Sequence, residues 1–312
     1  MLKSPMEILT QFPIRKTKIQ KQAFLDAVTA YASGEGWRVT TEPGPFGLRN
    51  LVVGDPEGAD FLITAHYDTC ARMPIPNFIT PCNLAPYLGY QLALYLGIAL
   101  LAGISGGIIA FATGMDRLGK YLAAAFALVL LLLLILGPAN PSNANDNTSG
   151  VVTVLEILRS LPALHRHKVC FVLFDLEEAG LIGSYCYRKA HRAASSRQLV
   201  INLDCVGEGD ALRFFPTKAL RKDVRRIRPL YGCCGYFGTK SLLVHDKGFS
   251  FYPSDQMNFP YGVGVAALKQ GKKHLYLDRI HTPRDTCLDE TNVNILRAAI
   301  ISLITCGAVK KG

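Results

Sequence analysis

The chain has 312 residues, 49% of them hydrophobic, and a formal net charge of +10, which suits one large α/β domain carrying an insertion, or two domains. Its basic residues are scattered apart from a cluster at Arg221 to Arg228, so no nucleic-acid module is evident and an anionic membrane surface is the simpler attractor. Nine cysteines, irregularly spaced and without a CxxC pair, argue for reduced thiols in the cytosol more than for a disulfide framework.

The N-terminal run MLKSPMEILTQFPIRKTKIQK lacks the apolar core of a signal peptide. Residues 5–33 read as one or two amphipathic helices with Ile8, Leu9, Phe24, Leu25 and Val28 on the apolar side. Trp37 to Thr41 and Asn50 to Val53 read as paired strands around the turn region EPGPFG. Phe61 to Ala65 is a short apolar strand that ends at His66-Tyr67-Asp68.

No charged residue occurs between Arg72 and Asp116, nor between Lys120 and Asp146, and this region raises the mean hydropathy to +0.20. Residues 84–113 and 121–137 are each long enough to cross a hydrocarbon core of about 30 Å at about 1.5 Å per residue. They predict a transmembrane helical hairpin, an insertion over 71–141 with the polar turn at 114–120. Gly97, Gly103, Gly106 and Gly107 suit close packing of the first helix on the second. The alternative is a helical hairpin buried in a soluble core.

After the loop PANPSNANDNTSG the pattern predicts a helix from about Val151 to Leu161, a strand over Val169 to Phe174, a helix from about Gly183 to His191 and a strand over Leu199 to Leu203. Alternating strands and helices imply an α/β fold, a mainly parallel mixed sheet sandwiched by helices, with sites at the carboxyl ends of the strands. His66 and Asp68 follow one strand, Glu177 and Glu178 another, and Asp204 ends a third. Asp146 precedes a helix, and His281 follows the apolar stretch HLYLDRI. Two neighbouring carboxylates at the end of a buried strand repel each other unless a cation sits between them, so Glu177-Glu178 asks for a metal.

HYD at 66–68, NDNTSG at 145–150, EEAGLIGS at 177–184, NLDCVG at 202–207 and HTPRDT at 281–286 resemble, in order, the motifs of the zinc aminopeptidase family that includes aminopeptidase S, aminopeptidase Y and the glutamate carboxypeptidase II group. The resemblance covers residues 1–70 and 142–312, which would form one discontinuous catalytic domain with the zinc exopeptidase fold. It implies two zinc ions bridged by Asp146, one completed by His66 and Asp204 and the other by Glu178 and His281. It makes Glu177 the general base, Asp68 the carboxylate behind His66, and a short peptide the substrate, cut at its N-terminus. Such ligands also accept cobalt or manganese. Ser254-Asp255-Gln256 stands where many members carry Ser-Asp-His, which points to substrate positioning there. Tyr252 and Phe259 are candidates for the same pocket, or for ordinary core aromatics.

Two other readings share these motifs: a glutaminyl cyclase-like acyltransferase with a single zinc, and a silent member that acts as a binding protein. For the membrane, Arg117 and Lys120 at the hairpin tip favour a cytoplasmic tip. The thiols and the basic N-terminal segment favour a catalytic domain on the cytoplasmic face instead, which is the reading preferred. The oligomeric state is not encoded in any of these patterns.

Overall fold

The computed structural model describes residues 2–246, 248 and 250–306. The amphipathic N-terminal segment divides in two. A turn of 3-10 helix runs into α1 (Ile8–Gln11), and Thr17 then opens α2 (Lys18–Gly34). The Thr17 hydroxyl accepts from Gln20 N while the Gln20 side chain accepts from Thr17 N, the reciprocal cap that T-x-x-Q allows. Ile8, Phe24, Leu25 and Val28 are buried as their periodicity predicts, and Leu9 is half-buried. β1 (Val39–Pro43) and β2 (Arg49–Val53) pair antiparallel across the predicted turn, and β3 (Phe61–His66) follows with every residue buried.

Two long helices come next. α3 (Leu84–Thr113) and α4 (Asp116–Leu136) are long and apolar enough to cross a membrane, and only 11% and 6% of their most apolar windows are buried. A hairpin hidden in a soluble core is therefore not what forms: Leu100, Ile108, Phe111 and Leu136 all stand exposed. The turn is shorter than predicted. Gly114, left-handed at φ 68°, ends α3, and Asp116 already lies in the first turn of α4, where a negative charge complements the helix dipole. Of the four glycines expected at the helix contact, only Gly106 is there. A Cβ on Gly106 would fall 2.6 Å from the carbonyl oxygen of Gly119, and one on Gly119 would fall 2.5 Å from that of Gly106. Gly97, Gly103 and Gly107 face open space.

α5 (Gly150–Ser160), β4 (Val169–Phe174), α6 (Ile182–Ala190), α7 (Arg192–Ser195) and β5 (Leu199–Leu203) follow the predicted alternation. Beyond Leu203 the sequence pattern predicts no strand, yet half of the sheet comes from there. The chain continues as β6 (Ala211–Pro216), α8 (Lys218–Lys222), α9 (Val224–Gly232), β7 (Gly235–Phe237), β8 (Lys240–Val244), β9 (Gly262–Gln270), β10 (Leu275–Tyr276) and α10 (Glu290–Cys306). In β9, GVGVAALKQ, two glycines dilute the strand signal.

The strand order is β1-β2-β4-β3-β5-β9-β6-β8-β7, with β10 pairing β9. The central strands β4, β3, β5 and β9 run parallel, and antiparallel pairs flank them. α5 packs between β3 and α10 on one face. On the other face Tyr187 of α6 joins Val52, Leu62, Val172, Phe174, Val200 and Phe259 in a second apolar cluster. Both faces are thus covered, as continuous apolar parallel strands require. The nine cysteines are all unpaired.

Candidate metal centre

Three neighbouring parallel strands end at one place. His66 closes β3, Glu177 and Glu178 follow β4, and Asp204 follows β5. Asp146 reaches the same place from the loop before α5. A Cβ on Gly150 would lie 2.3 Å from the Leu203 carbonyl oxygen, so glycine there lets α5 begin against the end of β5 and brings Asp146 beside Asp204. His281 arrives from the loop after β10 with φ 63°, and Leu176 and Cys205, beside Glu177 and Asp204, have φ 56° and 54°. Left-handed backbone at three residues with side chains is strain gathered at one site.

Asp146 divides the centre in two. Its Oδ1 lies 3.3 Å from His66 Nε2, and its Oδ2 lies 3.2 Å from His281 Nε2. Asp204 Oδ1 stands 3.6 Å from His66 Nε2, and Glu178 Oε2 stands 3.4 Å from His281 Nε2. One half holds His66, Asp204 and one oxygen of Asp146, and the other holds His281, Glu178 and the second oxygen, with Glu178 also within 4.8 Å of ligand atoms of His66 and Asp146. Glu177 places a carboxylate oxygen within 4.8 Å of ligand atoms of His66 and Asp204.

Asp68 does more than stand behind His66. The imidazole Nδ1 is nearer to the main-chain oxygen of Asp68, at 3.2 Å, than to its carboxylate, at 3.6 Å. That carboxylate instead accepts the N–H groups of Glu177 at 3.1 Å and Glu178 at 3.3 Å, one on each oxygen. It orients both glutamates.

The electrostatics are those of a centre with too many acids. Burial, joined by the neighbouring carboxylates, pushes Glu178 up to about 8 and Glu177 well above its ordinary range. Burial works to lower both histidines, but the surrounding carboxylates win, raising His281 to about 9 and His66 well above its usual value. Burial would raise Asp146, yet its hydrogen bonds with His281 and His66 hold it low. Glu178 Oε1, Asp204 Oδ1 and His281 Nδ1 are buried with no hydrogen-bond partner, although buried polar atoms normally have one. Histidine and carboxylate donors with unmet acceptors fit zinc.

Two supports escaped the sequence reading. Asp285, the acid of HTPRDT, is buried and accepts the N–H groups of Asn145 at 2.8 Å and Asp146 at 3.0 Å. Burial beside Asp146 raises it to about 8. Arg15 is wholly buried, donates to the Tyr67 carbonyl at 2.5 Å and to Thr148 Oγ1 at 3.1 Å, and is lowered to about 10 by burial. It ties the HYD strand end to the NDNTSG loop. In sequence it is one more basic residue in PIRKTK; only the motif membership of Asp285 offered a signal.

The residues expected to position substrate are buried and bonded. Asn202 Nδ2 donates to Ser254 Oγ at 2.9 Å and to Gln256 Oε1 at 3.2 Å, and Gln256 Nε2 donates to the Tyr252 carbonyl at 2.6 Å. Asp255 accepts from Ser184 Oγ at 2.5 Å, and Tyr252 donates its hydroxyl to the Asp204 carbonyl at 3.0 Å. Phe259 packs on Phe174 with ring centroids 6.1 Å apart. Tyr252 and Gln256 border a cavity of about 470 Å³ together with Phe215, Lys218, Arg221 and Met257; Ser254, Asp255 and Phe259 are not in its lining.

Fold and centre together define an α/β protein with a cluster that could hold metal at the carboxyl ends of its parallel strands. The chain belongs to peptidase family M28, whose sequence model matches residues 131–303, a span that contains Asp146, Glu177, Glu178, Asp204 and His281. A comparison with curated proteins found no match. Solved structures of similar fold include LapA of Legionella pneumophila, at 14% identity over 96% of this chain and 70% of that one with a TM-score of 0.58. A glutaminyl cyclase of Macrostomum lignano matches at 11% identity over 97% and 87%, with a TM-score of 0.55. A zinc aminopeptidase of Bacillus subtilis matches at 18% identity over 84% of this chain, with a TM-score of 0.48, and this chain spans 50% of its length. At these identities the likeness is one of fold.

Proposed function

We propose that the protein is a membrane-anchored dizinc aminopeptidase that removes N-terminal residues from short peptides. The observation that carries this reading is Asp146, whose two oxygens face two different histidines, each with a further carboxylate beside it. In this reading Asp146 would hold both ions, with His66 and Asp204 completing one and Glu178 and His281 the other. Zinc, for which cobalt or manganese could substitute, would supply a Lewis acid for the scissile carbonyl and acidify a water at neutral pH.

The proton traffic falls to Glu177. Its carboxylate lies beside His66 and Asp204, within reach of a water held there, and accepts that water's proton as it attacks. The same proton then passes to the leaving amine. Asp68 fixes the Glu177 backbone throughout, and Asp285 fixes that of Asp146.

The exposed apolar faces of α3 and α4 support a bilayer anchor formed by the insertion over 71–141. Its feet are tied to the centre. Met73 N donates to the His281 carbonyl at 2.8 Å, and Asn140 Nδ2 donates to the Thr282 carbonyl at 3.1 Å. Lys16 Nζ donates to the Ile135 carbonyl at 2.7 Å, at the end of α4. The centre thus sits at the base of the hairpin and meets peptides at the membrane face. Unpaired thiols favour the cytoplasmic face.

The test is mass spectrometry of a mixed short-peptide library, including peptides with N-terminal glutamine, after incubation with detergent-purified, zinc-loaded protein. Stepwise loss of N-terminal residues that vanishes in Glu177→Gln is expected. Loss of ammonia without cleavage would replace this reading by a cyclase, and an untouched library would overturn it.

A further inference from the structure

The two halves of the centre are unequal, and the difference is a cysteine. Cys70 lies four residues beyond His66, in the loop that leaves β3, and is buried. Its sulfur, a carboxylate oxygen of Glu178 and a ring nitrogen of His281 all lie within 4.8 Å of one another. Zinc takes sulfur at about 2.3 Å and imidazole at about 2.0 Å, so donors around one tetrahedral ion stand roughly 3.5 Å apart, and small side-chain movements close this cluster on a single ion. Two of the three residues are those assigned above to the second ion, and Glu178 also carries a buried oxygen with no partner, Oε1.

A second buried thiol serves as the comparison. Cys205 clusters with Asp146 and Asp204, but that group contains no histidine. The present partner of Cys70 is weak: its thiol donates to Asn143 Oδ1 at 3.4 Å, and Asn143 is otherwise held through its amide nitrogen by the carbonyls of Pro13 and Asn140. Losing the thiol proton would leave Asn143 in place.

We infer that Cys70 is a protein ligand of the second metal. This rests on the dimetal reading and deepens it. Coordination forms one metal–sulfur bond and releases the thiol proton to solvent. The half with Glu178, His281 and Cys70, joined by the Asp146 oxygen that lies 3.2 Å from His281 Nε2, would then have four protein donors, a closed arrangement. The half with Asp146, His66 and Asp204 has three, the open arrangement that keeps a position for water or substrate. Glu177 clusters with the open half. The ion beside Glu177 is the one that meets the reacting carbonyl, and the Cys70 ion is the one more firmly held.

Cobalt(II) reads this directly, because a thiolate ligand adds a sulfur-to-cobalt charge-transfer band in the near ultraviolet to the visible bands that nitrogen and oxygen ligands give. The full-length protein in detergent is stripped of metal, titrated with cobalt and followed by absorption, with bound cobalt counted by elemental analysis. The charge-transfer band is expected to grow with the first equivalent, to persist in Cys205→Ser, and to be lost in Cys70→Ser while the visible bands remain. Two bound cobalt ions without the band in the wild-type protein would overturn the role of Cys70 and leave the dimetal reading standing. A band that survives in Cys70→Ser would overturn it as well. Failure of the wild-type protein to bind cobalt at all would overturn both.

Discussion

The main-chain N–H of Asp146 donates to Oδ2 of Asp285 at 3.0 Å, so one buried acid holds another in position. Asp285→Ala leaves the N–H groups of Asn145 and Asp146 without their acceptor, at a cost of roughly 1–3 kcal/mol each if water does not replace it. Because the loop that they hold carries the proposed bridging ligand, zinc affinity is expected to fall about 10–100-fold, as for lost outer partners of metal ligands. Competition titration against a zinc chelator, paired with a thermal melt, checks both effects. Asp285→Asn, which keeps one acceptor oxygen, is expected to fall between.

Glu177→Gln keeps the size of the side chain and its backbone bond to Asp68 but removes the proton acceptor. Peptide turnover is expected to drop by about 10²–10⁴. Bound zinc, measured by elemental analysis, is expected to stay at the wild-type level. Loss of metal together with activity would instead make Glu177 a ligand.

The stability of the metal-free protein is expected to fall as pH rises. Glu178 is raised to about 8 and His281 to about 9, so both keep protons in the folded state that they lose when unfolded. Their contribution is full below the unfolded values, about 4.3 for Glu and 6.5 for His, and is lost as pH climbs through the folded values. Zinc competes for those protons, so its stabilising effect grows over the same window. Melting curves from pH 5 to about 9, with and without chelator, check this; a metal-free Tm that rises with pH across that window would refute it.

Replacing Leu84–Leu136 with a short polar linker is expected to give a protein that stays in solution without detergent. The two stalks meet in a bridge between Ala71 and Ala139, reinforced by Arg72 N donating to the Pro138 carbonyl at 2.8 Å, and this bridge lies outside the replaced segment. Turnover of soluble peptides is expected to survive. A soluble protein with intact metal and no turnover would mean that the hairpin shapes the path of the substrate.

Gly119→Val puts a branched side chain where the carbonyl of Gly106 already lies 2.5 Å from a Cβ position. Overpacking of this kind costs about 1–3 kcal/mol. The hairpin is expected to become more sensitive to protease in detergent, while zinc content is unchanged.

The residues predicted for the centre come from five separate motifs, and the chain brings all seven of them, His66, Asp68, Asp146, Glu177, Glu178, Asp204 and His281, to one place. Six were legible because each sits beside a strong local signal, a buried strand about to end or a helix about to start, whereas His281 was legible through the motif HTPRDT. Ser254, Asp255 and Gln256 carried no such signal, and the structure surrounds them with buried partners. The glycine-diluted β9 was missed for the converse reason: its neighbours in the sheet, not its own pattern, make it a strand.

Sequence alone determined the order of metal-type residues, the alternation of strands and helices up to Leu203, and the two long apolar segments, since side-chain chemistry, periodicity and uncharged length are all properties of neighbouring residues. Tertiary structure decided which donors share a half of the centre, that the Asp68 carboxylate serves Glu177 and Glu178 more closely than His66, and that Cys70 faces Glu178 and His281. It also decided the supports: Arg15 meets Thr148 across 133 residues, and Asp285 meets Asn145 across 140. Contacts of that span depend on how the whole chain closes on itself, and no local pattern of residues encodes that closure.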